Sequence, residues 1–89
     1  MPRYIIERTV GTTVTPEALQ AVGRKSNAVL DEMPDVRWIR SYVSHTAGKI
    51  YCEYDAPNVE AILEHARRTG IPVDKVSEVS LEISPAMFR

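Results

Sequence analysis

Lys49-Ile50-Tyr51-Cys52-Glu53-Tyr54-Asp55-Ala56-Pro57, running on into Asn58-Val59-Glu60-Ala61-Ile62-Leu63-Glu64-His65-Ala66-Arg67-Arg68, is the stretch that decides the fold. Its first part alternates. Ile50, Cys52 and Tyr54 fall on one side and Tyr51 and Glu53 on the other, the period of a strand. Ala56-Pro57 marks a corner. Val59, Ile62, Leu63 and Ala66 then recur at three- and four-residue steps, which is one face of a helix. Gly70 is a natural helix stop and is followed by Ile71-Pro72. The unit is a strand, a corner and an amphipathic helix, and it holds the only cysteine and one of the two histidines.

Upstream, Arg3 to Thr9 is short and rich in β-formers, so it reads as a strand. Its inward parity is open, since Ile5 and Ile6 are both apolar. Thr15-Pro16-Glu17 is a helix start: a capping hydroxyl, a proline suited to the first turn and an acid at the positive end of the dipole. Leu19, Val22, Ser26, Val29, Leu30 and Met33 trace one helix face to about Met33, with Pro34 ending it. Gly23 and Ser26, small residues near that face, allow close approach to a sheet. Val36 to His45 alternates as a strand, and Thr46-Ala47-Gly48-Lys49 joins it to the deciding stretch as a hairpin loop. Downstream, Val76 to Ser84 reads as a last strand.

The order is β-α-β-β-α-β. That predicts an α+β, ferredoxin-like domain over residues 1–89, a four-stranded antiparallel sheet with both helices on one face. Taking the aliphatic parity as helix-facing puts Ile39, Val43, Val79, Leu81 and Ile83 inside. It leaves Trp38, Arg40, Tyr42, Glu78 and Glu82 on the open face, with Tyr51 and Glu53 beside them. A face this aromatic is poorly suited to water and predicts a homodimer packed through the sheets, or a pocket.

Bulk properties exclude several classes. The 89 residues suit one domain. Net charge is −1, with basic residues interleaved among acids, which argues against nucleic acid and against a membrane surface. No apolar run is long enough to span a bilayer, and Met1-Pro2-Arg3-Tyr4-Ile5-Ile6-Glu7 leads straight into a strand with no signal-peptide core. A lone cysteine predicts a reducing, cytoplasmic location.

For chemistry, Cys52 and His65 come first. A thiolate and an imidazole are soft ligands for zinc, copper or nickel. Neither sits in a CxxC, HxxxH or HExxH spacing, and a buried thiol is most often a small core hydrophobe. His45, at a strand end beside the hairpin, is the weaker histidine. Glu7, Glu53, Glu78 and Glu82 are candidate carboxylate ligands or general bases, or cross-strand ion-pair partners of Arg3, Arg8, Arg37 and Arg40. Arg67-Arg68 suits the negative end of a helix dipole. There is no phosphate loop and no nucleophile elbow.

Trp38-Ile39-Arg40-Ser41-Tyr42-Val43, the deciding stretch, Glu64-His65-Ala66-Arg67-Arg68-Thr69-Gly70-Ile71-Pro72, Val76-Ser77-Glu78-Val79 and the opening Pro2-Arg3-Tyr4-Ile5-Ile6-Glu7-Arg8 together carry a resemblance. They resemble a family of small bacterial proteins long known only as a domain of unknown function, whose best-described member is a nickel-binding protein. The resemblance covers nearly the whole chain. It implies a ferredoxin-like fold, a dimeric α+β barrel formed through the sheets, and nickel as the bound metal. It implies Cys52 as thiolate ligand and His65 as imidazole ligand, and Glu7 is the candidate carboxylate partner. Arg40 stands where members of that family often carry a histidine, and a guanidinium cannot ligate. The alternative is a dimeric α+β barrel enzyme or binding module for a small organic molecule between sheet and helices, drawing on Trp38, Arg40, Tyr42, His45, Glu53, Glu7 and His65. A dimer with no site is the third reading.

Overall fold

A computed structural model describes all 89 residues. Strands β1 (Arg3–Thr9), β2 (Arg37–Ser44), β3 (Lys49–Asp55) and β4 (Lys75–Glu78) form one sheet, with helix α1 (Pro16–Leu30) after β1 and helix α2 (Val59–Thr69) after β3. A short 3-10 turn, Pro85–Phe88, follows the last strand. The sheet order is β2-β3-β1-β4 and every neighbouring pair is antiparallel, as the ferredoxin-like order requires. No helix is long and apolar enough to cross a membrane.

The caps follow from the local sequence. The Thr15 side chain accepts from Ala18 N at 3.1 Å, with Pro16 in the first turn of α1. Asn58 does the same for α2 through Ala61 N at 2.9 Å. Gly70 closes α2 in the left-handed conformation, and its N–H donates to Ala66 O at 2.8 Å. Helix α1 ends at Leu30, short of the expected Met33. There the backbone bonds tighten to three-residue steps, Glu32 N to Val29 O and Met33 N to Leu30 O, so the last apolar residues lie on a turn.

The parity of β1 is settled by burial: Tyr4, Ile6 and Arg8 face the helices, and Arg3, Ile5, Glu7 and Thr9 face away. Strand β3 pairs along both edges, and Ile50, Cys52 and Tyr54 point inward as expected. The core is Tyr4, Ile6, Val36, Ile50, Cys52, Tyr54, Ala56 and Ile62. Ile6 and Ile62 are essentially fully buried, and each removes apolar surface worth roughly 1.5–3 kcal/mol.

Two parities differ from the sequence reading. In β2 the register slips between Trp38 and Arg40: Trp38 opposes Tyr54 and Arg40 opposes Glu53, leaving Ile39 without a partner. This bulge reverses the alternation behind it. Trp38 therefore stands on the helix side with Ser41 and Val43, and not on the open face, while Arg40 and Tyr42 stay on the open face. In β4, Val76 opposes Ile6 and Glu78 opposes Tyr4, so Glu78 lies on the helix side, where Tyr4 OH donates to its Oε1 at 3.4 Å. Pairing ends there because β1 runs out. Val79 N donates to Arg3 O, and the next position along is Pro2, which has no N–H and whose carbonyl already accepts from Ala56 N. Leu81 and Ile83, expected inside, are 76% and 62% exposed.

The remaining open face is an ion-pair lattice. Arg3 Nε reaches Asp55 at 3.0 Å, Arg40 reaches Glu53 at 4.0 Å and Lys49 bridges Glu7 at 3.4 Å and Asp74 at 3.5 Å. With Trp38 gone from it, its aromatic content is Tyr42 and Tyr51.

Two glycines give opposite predictions. Gly48 has φ +65°, its carbonyl accepts from both Val10 N and Gly11 N, and an added Cβ would lie 3.1 Å from Gly11 C. Gly23 sits inside α1, and an added Cβ would meet only Trp38 Cη2 at 3.8 Å, an ordinary contact. Gly48→Ala is expected to cost about 1 kcal/mol or more. Gly23→Ala is expected to gain about 0.5–1 kcal/mol from helix propensity, a rise of several degrees in Tm. Thermal denaturation checks both signs.

Candidate functional site

The bulge that turns Trp38 inward helps build a cavity of about 210 Å³ between α1 and the sheet. Leu19, Val22, Gly23 and Ser26 of α1 form its roof. Trp38, Ser41 and Val43 of β2, Ile50, Cys52 and Tyr54 of β3 and Arg8 of β1 form its floor, and Ile71 closes one end. The walls are mainly apolar, and the polar groups fall into two chains of contacts.

The first joins the two strands. Trp38 Nε1 donates to Ser41 Oγ at 2.8 Å, and Ser41 Oγ donates to Cys52 Sγ at 2.8 Å. This link exists because the bulge sets Ser41 opposite Cys52. The second joins helices to sheet. Ser26 Oγ lies 3.2 Å from His65 Nε2 and 3.5 Å from Tyr54 OH, and all three residues are buried. The Tyr54 and His65 rings are 5.5 Å apart, and Trp38 stacks beyond Tyr54 at 6.5 Å.

Arg8 is the group the sequence reading placed in the wrong role. It is not a cross-strand ion-pair partner. It is 2% exposed, faces the helices and makes one hydrogen bond, Nη1 to Pro72 O at 3.0 Å. Its guanidinium carbon lies 6.0 Å from the Tyr54 ring centre. No carboxylate lines the cavity and none forms an ion pair with Arg8. Buried charges are normally paired. The alternation Tyr4, Ile6, Arg8 was the sequence signal for its position, since one parity carries all three.

The predicted metal residues are dispersed. Cys52 and His65 are both buried on the helix side, but Tyr54 stands beside His65 and Ser41 already engages the Cys52 sulfur. Glu7 is on the opposite face, bridged to Lys49. No group of three or more His, Cys, Asp or Glu side chains is placed to hold a metal ion, so the residues of a single chain do not fit a nickel centre. Of the pocket residues, only Trp38 lines the cavity. Arg40, Tyr42 and Glu53 lie across the sheet, and His45 is exposed in the hairpin.

Burial holds the His65 imidazole below its usual value. A hydrogen bond at Ser26 opposes this and the nearby Arg8 charge adds to it. A lowered imidazole value means that the unfolded chain binds a proton before the folded one does. Stability is then full above about pH 6.5 and is lost as pH falls below it. Urea midpoints measured from pH 7.5 to 5 are expected to fall in the wild type and to stay flatter in His65→Gln.

Residues 4–79 match the family described as "Nickel responsive protein SCO4226-like". Among solved structures, the chain is similar to SCO4226 from Streptomyces coelicolor A3(2), with 22% identity and a TM-score of 0.81 over 91% of this chain and 99% of that one. It is also similar to At3g17210 from Arabidopsis thaliana, with 16% identity and a TM-score of 0.53 over 94% and 96% of the two chains. At these identities the likeness shows the fold alone. No curated protein matches.

Proposed function

The chain belongs to the SCO4226-like family of nickel responsive proteins, and we propose that within it this protein works as a small binding protein whose inter-layer cavity takes a small organic molecule. The observation that carries this is the cavity of about 210 Å³ itself: concave, mainly apolar, with a few polar groups converging on it. That is the make-up of ligand sites in general. Ser26 Oγ lies within hydrogen-bond reach of His65 Nε2, at 3.2 Å, but no side chain orients the other imidazole nitrogen, and we read the cavity as a binding site. Methyl NMR checks it. Titration with small aromatic or aliphatic ligands is expected to shift Leu19, Val43, Ile50 and Ile71, which line the cavity, before Leu81 and Ile83 at the C-terminus. Shifts confined to Leu81 and Ile83 would sink the reading.

The family description favours a second reading, nickel or another divalent transition metal. Cys52 and His65 are the soft donors on offer, both on the helix side of the sheet. They make two donors where nickel takes at least four, so further ligands have to come from water or from rearrangement. A partner chain packed on the open sheet face cannot supply them, since the sheet lies between. The homodimer through that face is a separate proposal, supported by Tyr42, which is 56% exposed there. Native mass spectrometry of tag-free protein reads both at once. The metal reading expects one nickel per chain, lost in Cys52→Ser/His65→Ala; full nickel loading of that double variant removes these donors. A monomer mass at high concentration removes the dimer.

A further inference from the structure

Arg8 is a buried cation with no anion. It is 2% exposed and no aspartate or glutamate forms an ion pair with it. A guanidinium carries five N–H donors in a planar fork; its one hydrogen bond of ordinary geometry runs from Nη1 to Pro72 O at 3.0 Å, with the Tyr54 ring centre 6.0 Å from the guanidinium carbon. Every fully enclosed side-chain nitrogen and oxygen in the protein has a partner. Nε and Nη2 therefore keep a little accessible surface. Arg8 is one of the residues that line the cavity. Arg8 is the only arginine, lysine, histidine, aspartate or glutamate on the cavity's lining. The Arg8 charge thus stands alone over an apolar floor.

Resting on the reading of the cavity as an organic-ligand site, we propose that its ligand is a small carboxylic acid, bound as the anion, with the carboxylate on the Arg8 fork and an apolar body against Trp38, Val43 and Ile50. With Nη1 on Pro72 O, the Nε–Nη2 edge of the planar guanidinium still offers a carboxylate two parallel hydrogen bonds. Arg8 itself is 2% exposed, and an ion pair made at a group so little hydrated is worth more than one at the surface. The charge selects the head group. The volume limits the body: about 210 Å³ is below the usual range for sites that take drug-sized ligands and restricts the ligand to a small molecule. Trp38, stacked parallel to Tyr54 within 15°, favours a flat body.

Trp38 is the only tryptophan and lines the cavity, so its fluorescence reports occupancy. Three probes separate the elements of the proposal: phenylacetate, 2-phenylethanol as a neutral molecule of similar body, and acetate as the head group alone. Wild-type protein at pH 7.5 is expected to bind phenylacetate saturably, at least tenfold more tightly than either of the others. Arg8→Gln is expected to remove that advantage while leaving 2-phenylethanol unchanged. If Arg8→Gln does not fold, Arg8→Lys keeps the charge without the fork and is expected to weaken phenylacetate alone. Equal binding of phenylacetate and 2-phenylethanol overturns the carboxylate and leaves the cavity reading standing. Equal binding of acetate and phenylacetate overturns the apolar body. No saturable response to any probe overturns the proposal and counts against the cavity reading as well.

Discussion

Strand β3 is hydrogen-bonded along both edges, and its alternation commits the rest of the molecule. Ile50, Cys52 and Tyr54 are fixed inward, so whatever pairs with them on β1 and β2 is fixed inward too. That single constraint brings Ile6 and Arg8 under the helices on one side. On the other it brings Trp38, Ser41 and Val43, once the bulge at Ile39 has reset the count. The outward set of the same strand, Lys49, Tyr51, Glu53 and Asp55, anchors the ion-pair lattice of the open face. One strand thus separates two chemistries, an apolar cavity with one cation and a salt-bridged sheet surface.

Helices and strand order were legible because each rests on a local signal. Thr15-Pro16 and Asn58 start the helices, Gly70 stops the second, and Gly48 turns the hairpin. The family assignment was legible for a different reason: its motifs run through nearly the whole chain in order, and residues 4–79 match. What was not legible depends on partners far away in sequence. A bulge adds one residue to one strand and leaves no mark in a period-two count, so Trp38 was placed on the wrong face. Val79, Leu81 and Ile83 alternate as a strand does, but β1 offers them no backbone beyond Arg3. Local pattern cannot see the end of a neighbour.

The site was legible in part for the same reasons. Cys52 and His65 were found because cysteine and histidine are rare here, and the structure buries both on the inner side. Rarity does not bring side chains together, and the structure puts an aromatic ring beside one and a serine on the other. Arg8 was read as a cross-strand ion-pair partner because arginines are common and are usually surface groups. Its significance lies in burial without a counter-charge, which appears only when the packing around it is known.

The strand order also bears on how the chain comes to be folded as it leaves the ribosome. β1 is synthesised first but occupies an interior place in the sheet, between β3 and β4. Its nearest strand partner begins at Lys49 and its second ends at Glu78, at separations of dozens of residues. The β2–β3 hairpin and α2 have near neighbours and can form as they emerge. β1, with Tyr4, Ile6 and a charge that must be buried, has to wait in solvent for most of translation. Insertion of a central strand that late makes completion of the domain a closing step of long loop and high entropy cost. A half-made chain exposes this strand's edges and its apolar residues, and surface of that kind is what makes partly folded species prone to aggregate.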